Sequence, residues 1–81
     1  MKLPRDVSGP DLVRILCEPR LGYRRVHQRG SHVIVETDDP QQHRIAIPAH
    51  AALRLGTLNA IVSAVSRAKG IPKDDIIALL H

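Results

Sequence analysis

Residues 23–47 read YRRVHQRGSHVIVETDDPQQHRIAI, and the fold turns on how this stretch alternates. Tyr23 to Gln28 reads as a strand, Arg29-Gly30 as a tight turn, and Ser31 to Thr37 as a second strand rich in β-branched residues. Asp38-Asp39-Pro40-Gln41-Gln42 is a polar loop, and His43 to Ile47 is a third strand that Pro48 ends. A two-residue loop at Arg29-Gly30 pairs His27 with His32, Val26 with Val33, Arg25 with Ile34, Arg24 with Val35 and Tyr23 with Glu36. Side chains alternate along a strand, so His27, His32, Arg25, Ile34, Tyr23 and Glu36 share one face, and Val26, Val33 and Val35 share the other. The third strand sends Ile45 and Ile47 into the core when Val35 faces Ile45 and Val33 faces Ile47. That register puts Thr37 against His43 and gives Glu36 an opposite-charge partner in Arg44. Its weak point lies in the first hairpin, because a non-glycine such as Arg29 is disfavoured at positive φ. A bulge or a longer loop there would part His27 from His32.

Working outward, Ser8-Gly9-Pro10-Asp11 is a helix start, with Ser8 as cap and Asp11 near the positive end of the helix dipole. Leu12, Val13, Ile15 and Leu16 supply the apolar face, and Glu18-Pro19 ends the helix. Beyond the third strand, Thr57 is expected to cap a helix whose Leu58, Ile61, Val62 and Val65 form one stripe, closed by Lys69-Gly70. A short last helix has Pro72 near its start and Ile76, Ile77, Leu79 and Leu80 as its apolar part. The expected fold is α+β, a two-layer sandwich of order α-β-β-β-α with a short extra C-terminal helix. Its three-stranded antiparallel sheet has helices on one face and water on the other.

The chain has 81 residues, enough for one domain spanning 1–81. With no Phe, no Trp and a single Tyr, its core must come from Leu, Ile, Val and Ala. The single cysteine, Cys17, cannot form an internal disulfide and reads as a small buried hydrophobe. No apolar run approaches the roughly 20 residues that span a bilayer, and the first residues lack a signal-peptide core, so no membrane contact and a cytoplasmic location are expected. The net charge of +4 is unevenly placed: residues 1–35 hold seven Lys or Arg against three Asp or Glu, and residues 36–81 hold five against five. The excess on the first part of the chain suits an anionic partner such as nucleic acid.

The outer sheet face then carries two imidazoles, His27 and His32, beside Arg25 and Arg44, with Arg29 at its tip. Arginine holds phosphate oxygens in a fork, and imidazole is the side chain best able to move protons near pH 7. Tyr23 could stack on a base or simply cover an apolar edge. The histidines lack metal-ligand spacing and there is no Cys pair, so neither metal nor other cofactor is expected. His43 and His81 read as surface residues.

At Gly30-Ser31-His32 the sequence resembles the HicA toxins, a family of small RNA-cleaving proteins. Ser8-Gly9 resembles the opening of the family's first helix, and Leu21-Gly22-Tyr23 stands where the family usually has Gly-Phe. Arg29-Gly30-Ser31-His32 matches its basic residue plus Gly-Ser-His. Ile47-Pro48-Ala49-His50 matches its strand ending in Pro-x-His, and Leu55-Gly56-Thr57-Leu58 its Gly-Thr-Leu helix start. The likeness runs over about residues 8–80, with the helix from Thr57 about one turn longer than usual. The resemblance implies a fold like the double-stranded RNA-binding domain, ribosome-independent cleavage of mRNA, and a HicB-like antitoxin that covers the site. It places the catalytic histidine at His32 and gives His50 a site-adjacent or structural role.

On this reading His32 is the general base or acid, and Arg25, Arg29 and Arg44 bind RNA. Ser31 either donates a hydrogen bond or serves only the turn. His27 is the second proton-transfer group, an exposed phosphate contact or a bystander. The alternative is a non-catalytic RNA-binding module using the same basic face. Such a module would bind RNA without cutting it and lose affinity steeply with salt.

Overall fold

The computed structural model describes residues 2–81 as three helices and one sheet, α1 (Gly9–Leu16), β1 (Arg24–Arg29), β2 (His32–Thr37), β3 (His43–Pro48), α2 (Leu55–Lys69) and α3 (Lys73–Leu79). The strands form an antiparallel meander in the order β1-β2-β3, an α+β arrangement as expected. Val33, Val35 and Ile47 point to the helix side and join Leu12, Leu16, Leu58, Ile61, Val62, Val65, Ile76 and Ile77 in a single aliphatic core.

Each helix forms for a local reason. Ser8 Oγ accepts the Asp11 amide at 3.0 Å, and Pro10 fills the first turn, where no amide partner is needed. α1 stops at Leu16, two residues before Glu18-Pro19, with Cys17 as its C-cap. Cys17 is exposed, which corrects the reading of a buried thiol: at the cap the chain turns away from the helix's apolar face. The stripe Leu58, Ile61, Val62 and Val65 of α2 is fully buried, and Gly70 ends the helix in the left-handed region at φ 66°. Thr57 is not the cap. The helix begins at Leu55 with Arg54 in the cap position, so its exposed first turn precedes the apolar stripe.

The second hairpin has the expected register, with Val33 opposite Ile47, Val35 opposite Ile45, Glu36 opposite Arg44 and Thr37 opposite His43. The first does not. Gly30, at φ 53°, takes the first central position of the turn and Ser31 the second, so Arg29 pairs with His32 rather than His27 with His32. Glycine supplies the positive φ that Arg29 would have resisted. Gln28 then faces Val33 and His27 faces Ile34. A bulge between Arg25 and His27 resets the pairing to Arg25 with Val35 and Arg24 with Glu36. Val26 sits at this bulge and is 38 % exposed, not in the core.

Two contacts join the helical layer to the turn end of the sheet. The Gly9 amide donates to His50 O at 2.9 Å, and a Cβ on Gly9 would lie only 1.8 Å from Pro48 O. The Ala49 amide donates to Ser31 O at 2.6 Å. The segment after β3 is thereby clamped between the start of α1 and the β1–β2 turn. This gives Pro48-Ala49-His50 a backbone role, while the His50 side chain is exposed.

Candidate nucleic-acid interface

Residues paired across antiparallel strands share a face, so the register assigns the sheet surface away from the helices. Arg29, His32, His27, Ile34, Arg24, Glu36 and Arg44 lie there. His27 and His32 share this face, but as diagonal neighbours rather than a direct pair, which typically separates residues by roughly 7–8 Å. Both are exposed, and neither their rings nor the Arg29 guanidinium has a hydrogen-bond or ion-pair partner among the described residues. Their donors and acceptors are available to a ligand. A shallow groove of about 160 Å³ is lined by His27, Arg29, Ile34 and Arg44, with half-buried Ile34 as an apolar patch among polar walls. Ser31 is exposed in the turn, and its backbone carbonyl is the part tied down.

Two expected members of this face are elsewhere. Arg25 pairs with Val35, a core residue, and so belongs to the helix-side surface at the sheet edge. There its Nη2 reaches Gln28 Oε1 at 3.4 Å. The bulge at Val26 is the cause, since one extra residue exchanges the faces of the positions before it. Tyr23 is 3 % exposed and cannot stack on a base. Its phenol bonds His43 Nδ1 at 2.7 Å, the two rings meet edge-on, and Lys69 Nζ lies 5.8 Å from the ring centroid. Burial pushes the Tyr23 hydroxyl up from 10.0 to about 12. His43, expected at the surface, is half-buried through the same contact. In a chain without Phe or Trp, one aromatic beside Gly22 at the mouth of the sheet is more useful to the core than to the surface.

Glu36 was legible only as the partner of Arg44. It is 5 % exposed and also takes Arg24, whose Nη2 reaches Oε2 at 2.7 Å. Regular alternation of β1 gave no sign of that second partner, because Arg24 comes opposite Glu36 only through the bulge. Among the described residues no three His, Cys, Asp or Glu side chains gather as a metal would need, and no helix is long and apolar enough to cross a membrane.

What this surface can do chemically is hold an anion at Arg29 between two free imidazoles. Comparison with curated proteins and with solved structures gives no match. The family model for the HicA toxin of bacterial toxin–antitoxin systems matches residues 9–69, from the first residue of α1 to the last of α2. The chain belongs to the HicA family and is the toxin of a toxin–antitoxin system.

Proposed function

We propose that the chain, acting as one domain in the cytoplasm, is a metal-independent endoribonuclease that cuts mRNA without the ribosome and is neutralised by a HicB-like antitoxin. The observation that carries this reading is the exposed pair His27 and His32 around Arg29, three side chains of the right chemistry with no partner of their own among the described residues.

RNA carries its own nucleophile. A base takes the proton of a 2′-hydroxyl, and the oxygen attacks the adjacent phosphorus. The bond from phosphorus to the 5′-oxygen breaks as an acid protonates that oxygen, leaving a 2′,3′-cyclic phosphate and a 5′-hydroxyl. His32 is one of the two proton-transfer groups, and each such group contributes roughly 10²–10⁴-fold. Diagonal placement leaves room for a phosphate between His32 and His27, which is the candidate for the other. Arg29, opposite His32, is placed to neutralise the extra charge of the pentacovalent phosphorus. The antitoxin reading follows from family membership.

The test is to incubate purified protein, free of antitoxin, with labelled mRNA in chelator, beside His32→Ala and His27→Ala. The wild type should give cyclic-phosphate ends, and His32→Ala should cut at least about 100-fold more slowly. RNA that is bound equally by wild type and His32→Ala but cut by neither would replace the enzyme with a non-catalytic RNA-binding module.

A further inference from the structure

Glu36 is buried where a carboxylate needs a reason to be. Taking it out of water costs several kcal/mol unless charged donors replace the solvent. Here they do. Oε1 accepts Arg44 Nε at 3.0 Å and Gln42 Nε2 at 3.2 Å, with Arg44 Nη2 in ion-pair contact at 2.9 Å, and Oε2 accepts Arg24 Nη2 at 2.7 Å. The two arginines are not equivalent. Arg24 turns its other end to Asp38, Nη1 to Oδ2 at 2.9 Å, so carboxylates hold both of its terminal nitrogens. Arg44 commits only Nε and Nη2, both to Glu36, and its Nη1 has no partner among the described residues on a side chain that is 63 % exposed.

A surface arginine normally samples many rotamers and loses that freedom when it grips a ligand. Arg44 has already lost it. Its guanidinium is held by a hydrogen bond and an ion-pair contact to a buried anchor that is itself braced by Arg24. The side chain borders the same groove as His27 and Arg29. Along β2, Glu36 lies four residues from His32, about 13 Å at ~3.3 Å per residue. Arg44 is therefore anchored at the far end of β2 from His32.

We infer that Arg44 is a second phosphate subsite, which grips a backbone phosphate of the bound RNA away from the cleaved bond, and that Glu36 is the positioning residue that sets it. The ligand's identity rests on the ribonuclease reading; the Glu36–Arg44 geometry does not. Electrostatics and positioning predict opposite signs for one substitution. If Glu36 acts only through its charge, Glu36→Gln removes a negative group from an RNA-binding face and tightens binding. If Glu36 positions Arg44, Glu36→Gln weakens it.

The experiment titrates a labelled single-stranded RNA oligonucleotide with protein carrying His32→Ala, so that the probe stays whole, and follows anisotropy over a salt series. Arg44→Ala should weaken binding about tenfold and reduce the slope of log K against log salt by about 0.7. Glu36→Gln should weaken it several-fold, and should add nothing once Arg44 is already alanine. Tighter or unchanged binding by Glu36→Gln overturns the inference, as does full additivity of the two losses. Thermal melts accompany each variant. If Glu36→Gln fails to fold, Arg44→Lys decides, because it keeps the charge but loses the fork that Glu36 holds. Weaker binding supports the positioning, and binding equal to wild type overturns it. RNA binding that is strong but indifferent to Arg44 removes only this subsite. Absence of any RNA binding removes the ribonuclease reading and the subsite with it.

Discussion

The sheet's two hairpins share β2 but are held together by different forces. In β2–β3 the paired positions alternate into the core: Val33 against Ile47, Val35 against Ile45. A slip by one residue would expose these side chains and bury Arg44, so burial fixes the register. In β1–β2 every residue of β1 is exposed. Nothing buried in the strand resists a slip, and the register is set by Gly30 at the turn, the bulge at Val26, and the Arg24–Glu36 ion pair. The well-packed hairpin carries stability, and the loosely specified one carries most of the candidate chemistry: His27, Arg29 and, across the turn, His32. Function on an exposed, polar strand is cheap to vary because the core does not depend on its side chains.

The sharpest way to break this contrast is a cavity in the packed hairpin. Ile47 is wholly buried between β2 and the helices. Ile47→Ala should cost about 2–5 kcal/mol by denaturant melts, a large share of what a domain this small possesses. A loss under about 1 kcal/mol would mean that β3 is not the pinned partner of β2.

The open end of the first hairpin has one anchor in the core, Tyr23, just before β1. Its hydroxyl ionises near 10 in the unfolded chain and at about 12 when folded. The folded state favours the proton, so this contribution is fully present below pH 10 and is lost as pH rises through about 12. The expected fall is about 2–3 kcal/mol. Tyr23→Phe, which removes the ionisable hydroxyl and keeps the ring, is the control. It should flatten most of the slope, and amide exchange at high pH should rise in β1 before β3. An unchanged slope in Tyr23→Phe would mean that the Tyr23 hydroxyl does not carry the effect.

The same contrast explains what could be read from the sequence. The β2–β3 register, the Ser8 cap and the α2 stripe were legible because each rests on burial or on a local hydrogen bond that a period or a spacing records. His32 was legible as a site residue through the resemblance at Gly30-Ser31-His32, and its place on the wet face survived the register error because β2 is pinned from its other side. The β1 pairing was not legible. Arg29-Gly30 and Gly30-Ser31 are both short polar turns, and a one-residue difference between them moves every partner of β1. No side-chain pattern announces a bulge at Val26, so regular alternation places Arg25 on the face opposite to the one it takes. Thr57 misled because its spacing to the apolar stripe suits a cap, while the exposed first turn of α2 leaves no periodic trace.

The smallest effect discriminates most finely. Valine and threonine have nearly the same shape, so exchanging them tests burial with little change in volume, the hydroxyl being the only new demand. At Val35, wholly buried at the centre of the pinned strand, that hydroxyl would sit in the core, and Val35→Thr should cost about 1–3 kcal/mol. At Val26, on the bulge, the hydroxyl meets water, and Val26→Thr should change stability by no more than about 0.5 kcal/mol. Denaturant midpoints of the two variants measured side by side check both values. Equal losses at the two sites would put Val26 in the core beside Val35 and remove the bulge.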